Sequence, residues 1–332
     1  MGTPDFAVPA LKALIDSHHE VVGVFTNPDR PSGRGKKLTP SPVKEVALAH
    51  DIPVYQPKRV RKNEEALQTL KDFKPDLVVV AAYGQILPQE VLDVPPLGCL
   101  NVHASLLPGY RGAAPINWCI VRGESEAGVT IMEMELGLDT GPMYLKGSVE
   151  IGELMTAQEL HDQLSEIGAP LLLKTIEGIQ QETLKPEPQD DNLASWAPMI
   201  KKSDGLVDWQ KSAREVADLI RGFNPWPGTY TFFFSGDAEE GARFKLHLAK
   251  VLEDKDFLEL SEEDEPRAGE VVYAENGRLI VATGQHGFVE LLTLQAPGKR
   301  AMSASDILNG YHMNAGDFFA AMESRTALEE ES

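Results

Sequence analysis

Short runs of β-branched and aliphatic residues alternate with helical patterns along the first part of the chain. Residues 6–17 carry apolar side chains at helical spacing, and "EVVGVFT" then reads as a buried strand ended by Asn27-Pro28. "SPVKEVALAH" reads as a short helix with Ser41 as N-cap and proline at its first position. "IPVYQP" is a brief strand, Asn63 to Phe73 a helix, and "DLVVVAAY", "CLNVHA" and "GVTIMEME" are three further strands. Alternation of this kind over about 150 residues predicts an α/β fold: a doubly wound, mostly parallel sheet with helices on both faces. "TAQELHDQLSEIGAPLLLKTIEGI" opens on a capping box from Thr156 to Glu159. Its stripe of Leu160, Leu164, Ile167 and Leu171 is expected to pack on that sheet.

The pattern then changes. "KPEPQDDNLASWAPMIKKSDG" is polar and proline-bearing and reads as a linker. "TYTFFFS", "FKLHLAKVLE", "GEVVYAENGRLIVATG" and "GFVELLTLQ" follow as short strands with a hairpin turn at Asn276-Gly277, and a last helix starts at Ser303. Hairpin-linked strands of this size predict a small β-barrel of the oligonucleotide-binding kind. The expected boundaries are 1–184 for the α/β domain, 185–203 for the linker, 204–318 for the barrel and 319–332 for an acidic tail.

A chain of 332 residues with 42% hydrophobic content can bury two such cores. No apolar run approaches the roughly 18 residues of a membrane span, and "MGTPDFAVPA" has neither a basic n-region nor a long apolar run, so it is not expected to be a secretory signal. Cys99 and Cys119 sit in apolar surroundings without metal spacing, so reduced core thiols, no bound metal and a cytoplasmic location are expected. The net charge of -20 argues against indiscriminate nucleic-acid binding. The charge is uneven, however. Every charged residue between Asp29 and Glu45 is basic (Arg30, Arg34, Lys36, Lys37, Lys44), in a loop rich in glycine and proline. That cluster is either solvated surface or a contact for an anionic partner.

Ligands of open α/β sheets bind beyond the carboxyl ends of the strands. Asn101 and His103 stand at such an end, and their spacing of two sends both side chains to one face. "GVTIMEME" runs into "LGLDTGP", whose turn brings Asp139 to the same edge if the two strands are parallel. An amide can donate to a developing oxyanion, an imidazole can move a proton, and a carboxylate can orient that imidazole. No Ser or Cys stands as a nucleophile beside the histidine, which points to attack by an external nucleophile, such as an amine, on an acyl carbon. Spacing alone leaves open a structural histidine and a turn-forming aspartate. A dinucleotide-dependent oxidoreductase lacks its G-x-G-x-x-G between first strand and helix. A non-catalytic RNA-binding module built on the barrel is the remaining alternative.

"LNVHASLLPGYRGAAPI" together with "GVTIMEMELGLDTGPM" resembles the signature of enzymes that transfer a formyl group from 10-formyltetrahydrofolate. The resemblance extends to "GTPDFAVPAL", "FTNPDRPSGRGKKLTPSPVK", "VVVAAYGQILP", "FNPWPG" and "LQAPGKRAMSASDILNG", covering nearly the whole chain. Within this folate-dependent formyltransferase family, the "GRGKK" loop and the barrel are similar to the member whose acceptor is the methionine of charged initiator tRNA. A formyltransferase acting on a small amine is the rival of like chemistry.

The resemblance implies that Asn101, His103 and Asp139 form the catalytic set and that 10-formyltetrahydrofolate is the co-substrate. It places the folate against Ser105, Leu106, Leu107 and Pro108, and against Tyr83 and Ile86. It makes Arg34 the functional arginine of the tRNA contact, with Lys36, Lys37, Lys201 and Lys202 on phosphates. It further implies a cytoplasmic, monomeric enzyme of translation initiation. Family members carry a strand before "GTPDF", so the first strand of the sheet is expected to be missing here and Met1 to be an internal methionine.

Overall fold

The computed structural model describes residues 1–32, 37–236, 238–252 and 266–322. The chain divides into two compact units: residues 1–115, 126–150 and 161–198 form the first, and residues 116–125, 151–160 and 199–332 the second.

In the first unit the short parallel pair β1 (Val24–Phe25) and β2 (Val54–Tyr55) stands beside a four-stranded sheet. The order of that sheet is β3 (Val78–Val80), β4 (Cys99–His103), β6 (Glu126–Glu133), β7 (Met143–Glu150), with β5 (Arg111–Gly112) lying outside it. β3 and β4 are parallel, with Val80 opposite Asn101, whereas β6 runs antiparallel to both β4 and β7. Among the described residues β1 and β3 do not pair directly. Between them lies a cavity of about 410 Å3 lined by Val22, Val24, Val78 and Val79 among others. Met1 and Gly2 bridge it: the Met1 amino group donates to the Val79 carbonyl, and the Gly2 N–H to that of Phe25. Gly2 also forms a parallel bridge with Ala81.

Local signals set the helices. α1 (Val8–Ile15) has proline in its first turn. α2 (Pro42–Ala49) starts from Ser41, whose hydroxyl accepts from the Lys44 N–H, and α3 (Glu64–Phe73) from Asn63, which accepts from that of Ala66. The long helix α4 spans Ala157–Gln180. Within the first unit it buries Leu164 and Leu172 and crosses the sheet at Gly168. A Cβ there would stand 2.9 Å from a Val102 methyl, so only glycine lets the helix come this close.

The polar stretch read as a linker is ordered into the first unit up to Pro198. Glu187 bridges Met143, and β8 (Trp196–Ala197) pairs in parallel with β5.

The second unit is an antiparallel barrel ordered β11 (Val271–Tyr273), β12 (Ile280–Thr283), β13 (Gly287–Gln295), β10 (Ala242–Leu252), β9 (Thr229–Phe234), β14 (Phe318–Ala320). A bridge from Glu270 to Phe318 nearly closes it. Asn276 and Gly277 both have positive φ (51° and 77°), as a tight hairpin turn requires. Phe319 and Ala320, assigned from sequence to an acidic tail, instead pair with Phe233 and Phe232. The reason is apolar: the Phe319 ring is fully buried against those of Phe233 and Phe244. α5 (Ala213–Gly222), opened by a Ser212–Glu215 capping box, adds Val216, Ala217 and Ile220 to this core.

Candidate active site

β4 is a central strand buried on both faces except at Asn101, which is half-buried. The Asn101 amide has no hydrogen-bond partner among the described residues, which leaves its N–H groups available to a ligand. Two residues on, His103 is buried, with Nε2 3.2 Å from the Tyr110 carbonyl and Nδ1 3.7 Å from a carboxylate oxygen of Asp139. The first distance is the long end of a hydrogen bond and the second an electrostatic contact. Both ring nitrogens face oxygen acceptors.

Asp139 does not arrive as the strand-direction argument supposed. β6 is antiparallel to β4, with Asn101 opposite Met132 and His103 opposite Thr130, so it leads away from the His103 end. The loop from Met134 to Pro142 carries the carboxylate back. That loop is tied down: the Gly112 N–H donates to Asp139 Oδ2 at 2.9 Å, and Gln189 Nε2 donates to the carbonyls of Asp139 and Gly141 at 2.8 and 2.7 Å.

The loop after His103 is held as firmly. Thr130 Oγ1, fully buried, donates to the Ser105 carbonyl at 2.7 Å and accepts from the Leu107 N–H at 3.1 Å. The Ser105 hydroxyl donates to the Gly109 carbonyl at 2.7 Å. Leu107 packs in a small core with Met132 and Met143, and Lys146 takes its carbonyl. Leu106 and Pro108 are half-buried, so they offer the apolar surface that this loop presents.

The other residues singled out by sequence are placed as follows. The Tyr83 ring is core, 2% exposed, and burial pushes its hydroxyl up to about 12. Its carbonyl, however, accepts from Asn27 Nδ2 at 2.7 Å. Ile86 is 73% exposed. Arg34 and Lys36 lie outside the described residues; Lys37 is exposed on the first unit, and Lys201 and Lys202 are exposed on the second. Lys44 is taken out of the basic cluster by Asp29, at 2.8 Å. The Lys44 and Gln56 hydrogen bonds hold the Asp29 carboxyl below its ordinary range.

Sequence reading missed three groups that build this site. Thr130 is a lone hydroxyl in an apolar strand, which was a usable signal. Arg111 is buried, donating from Nε to Gln189 Oε1 at 3.0 Å and from Nη2 to Asp191 at 2.8 Å. Gln189 sits in the linker-like stretch, where nothing marks it.

Asn101 and His103 on β4 and Asp139 on its returning loop thus supply an amide, an imidazole and a carboxylate, groups that can serve acyl transfer by donating to a developing oxyanion and moving a proton. The chain belongs to the formyl transferase family: the family model described as "Formyl transferase" matches residues 1–176, and that described as "Formyl transferase, C-terminal domain" matches residues 199–312. It is 46% identical over 316 residues to the methionyl-tRNA formyltransferase of Geobacter metallireducens, spanning 95% of this chain and 96% of that one. To the methionyl-tRNA formyltransferase of Alkaliphilus oremlandii it is 47% identical over 317 residues, 96% and 97% of the two chains. The fold is similar to that of WlaRD, a sugar 3N-formyl transferase crystallised in the presence of dTDP and 5-N-formyl-THF. There the TM-score is 0.62 at 18% identity, over 90% of this chain and 97% of that one. HypX from Aquifex aeolicus, in complex with tetrahydrofolic acid, matches with a TM-score of 0.53 at 19% identity, over 79% of this chain and 43% of that one.

Proposed function

We propose that this chain transfers the formyl group of 10-formyltetrahydrofolate to the amino group of methionine on initiator methionyl-tRNA, for the initiation of translation. The amine lone pair adds to the formyl carbon, and the carbonyl oxygen takes up the negative charge. Asn101 donates to that oxygen from its uncommitted amide. His103 donates from the nitrogen that now makes the long contact to Tyr110. Asp139, beside the other ring nitrogen, keeps the imidazole in orientation. Collapse breaks the bond to folate N10, which leaves with a proton given up by the attacking amine. The half-buried Leu106 and Pro108 supply the apolar surface for the flat folate rings. Lys37, Lys201 and Lys202, with Arg34 and Lys36, supply positive charge for tRNA phosphates.

The observation that carries this reading is the placement of the Asp139 carboxylate 3.7 Å from His103, two residues along β4 from an Asn101 amide with no hydrogen-bond partner among the described residues, in a chain nearly half identical to methionyl-tRNA formyltransferases over its length. The test is formyl transfer from 10-formyltetrahydrofolate to methionyl-tRNA, to free methionine and to a dTDP-amino sugar, by the parent and by His103→Ala. Transfer to the charged tRNA alone, lost in the variant, is expected. Transfer to the amino sugar instead would reassign the acceptor.

A further inference from the structure

We propose that Gln189 is the positioning residue for Asp139, latching the loop that carries the carboxylate against β5. The inference rests on the reading of Asp139 as the group that orients His103.

Both N–H groups and the oxygen of the Gln189 side-chain amide are engaged in this contact. Its two N–H groups go to the carbonyls of Asp139 and Gly141, on either side of Thr140, at 2.8 and 2.7 Å. Its oxygen accepts from Nε of Arg111 at 3.0 Å. Arg111 is 3% exposed, and its other end is anchored on Asp191 at 2.8 Å. The next residue along, Gly112, gives its N–H to the Asp139 carboxylate itself. One latch therefore fixes the Asp139 backbone and, through β5, the donor that aims its side chain. The fixing has a cause: Asp139 has φ +53°, in the left-handed region that non-glycine residues enter only when their surroundings hold them there. Two donors and one acceptor on one planar group describe an amide and no other neutral side chain. A carboxylate would keep the Arg111 contact and lose both donors.

The discriminating variant is therefore Gln189→Glu, which keeps volume and the arginine partner while turning an oxygen toward two carbonyls. We expect kcat for formyl transfer to fall about 10- to 100-fold with the KM values of both substrates within about twofold, the behaviour of a misplaced catalytic constellation. In an Asp139→Ala background the same substitution is expected to change kcat less than about twofold, because no carboxylate remains to be placed. An unchanged kcat in the single variant would overturn the proposal, as would a rise in KM alone. A loss repeated in full on the Asp139→Ala background would also overturn it, since a packing role acts in either background. If Gln189→Glu does not fold, Gln189→Met carries the same test, and failure of both to fold assigns the residue to stability and overturns the proposal. An Asp139→Ala enzyme with parental kcat would instead sink the catalytic reading on which the inference stands.

Discussion

Thr130 is the partner of two residues in the loop that follows β4: its hydroxyl donates to the Ser105 carbonyl and accepts from the Leu107 N–H, 2.7 and 3.1 Å away. It also lies directly opposite His103 in the β4–β6 register. A single buried hydroxyl on β6 thus ties down the loop proposed to hold the folate.

Thr130→Val keeps the shape and leaves one buried carbonyl and one buried N–H without their partner. The expected cost is about 2 to 6 kcal/mol of stability, from about 1 to 3 kcal/mol for each of the two orphaned buried groups. The KM for the folate is expected to rise with it. Urea denaturation and steady-state kinetics measure the two effects; a loss below about 0.5 kcal/mol would show that the loop is held by other means.

Burial pushes the thiols of both Cys99 and Cys119 up to about 12. In the unfolded chain they ionise near their ordinary value, so above it the unfolded state holds fewer protons than the native one. Their contribution to stability is therefore complete below about pH 8.5 and declines as pH rises toward the folded values. Urea midpoints through this range should fall, and a thiol reagent should label both cysteines only on unfolding. Rapid labelling of the native protein would contradict their burial.

Lys44 and Arg34 share the basic stretch, and different effects are expected of them. Lys44 is already paired with Asp29 and bonded to Gln56. Lys44→Ala is therefore expected to leave the KM for tRNA within about twofold, whereas Arg34→Ala raises it and flattens its dependence on salt, as removal of one phosphate contact does. Equal effects of the two substitutions would dissolve the distinction.

Legibility followed sequence distance. Ser41 could be read as a cap, and Asn63 and Ser303 as helix starts, because a helix start is decided within four residues; each accepts the N–H that a cap takes. Asn101 and His103 could be read because a strand's period of two and its end are local facts. The route of Asp139 could not: it depends on β6 being antiparallel to β4, which sequence alternation does not encode. Gln189 reaches Asp139 across 50 positions of chain from a stretch composed like a linker. The two residues of β8 are too few to carry any periodicity. Phe319 and Ala320 were hidden by the acidic residues after them, although the aromatic pair was itself a core signal.

The proposed formyl transfer turns on Asn101 as donor to the oxygen that becomes negative. The most direct measurement is the single-turnover rate of formyl transfer by Asn101→Ala at saturating folate, set beside the folate dissociation constant of the same variant. The account predicts a loss of about 100- to 1000-fold in rate, the effect of removing one oxyanion donor, with folate affinity unchanged. A parental rate accompanied by weakened folate binding would contradict it.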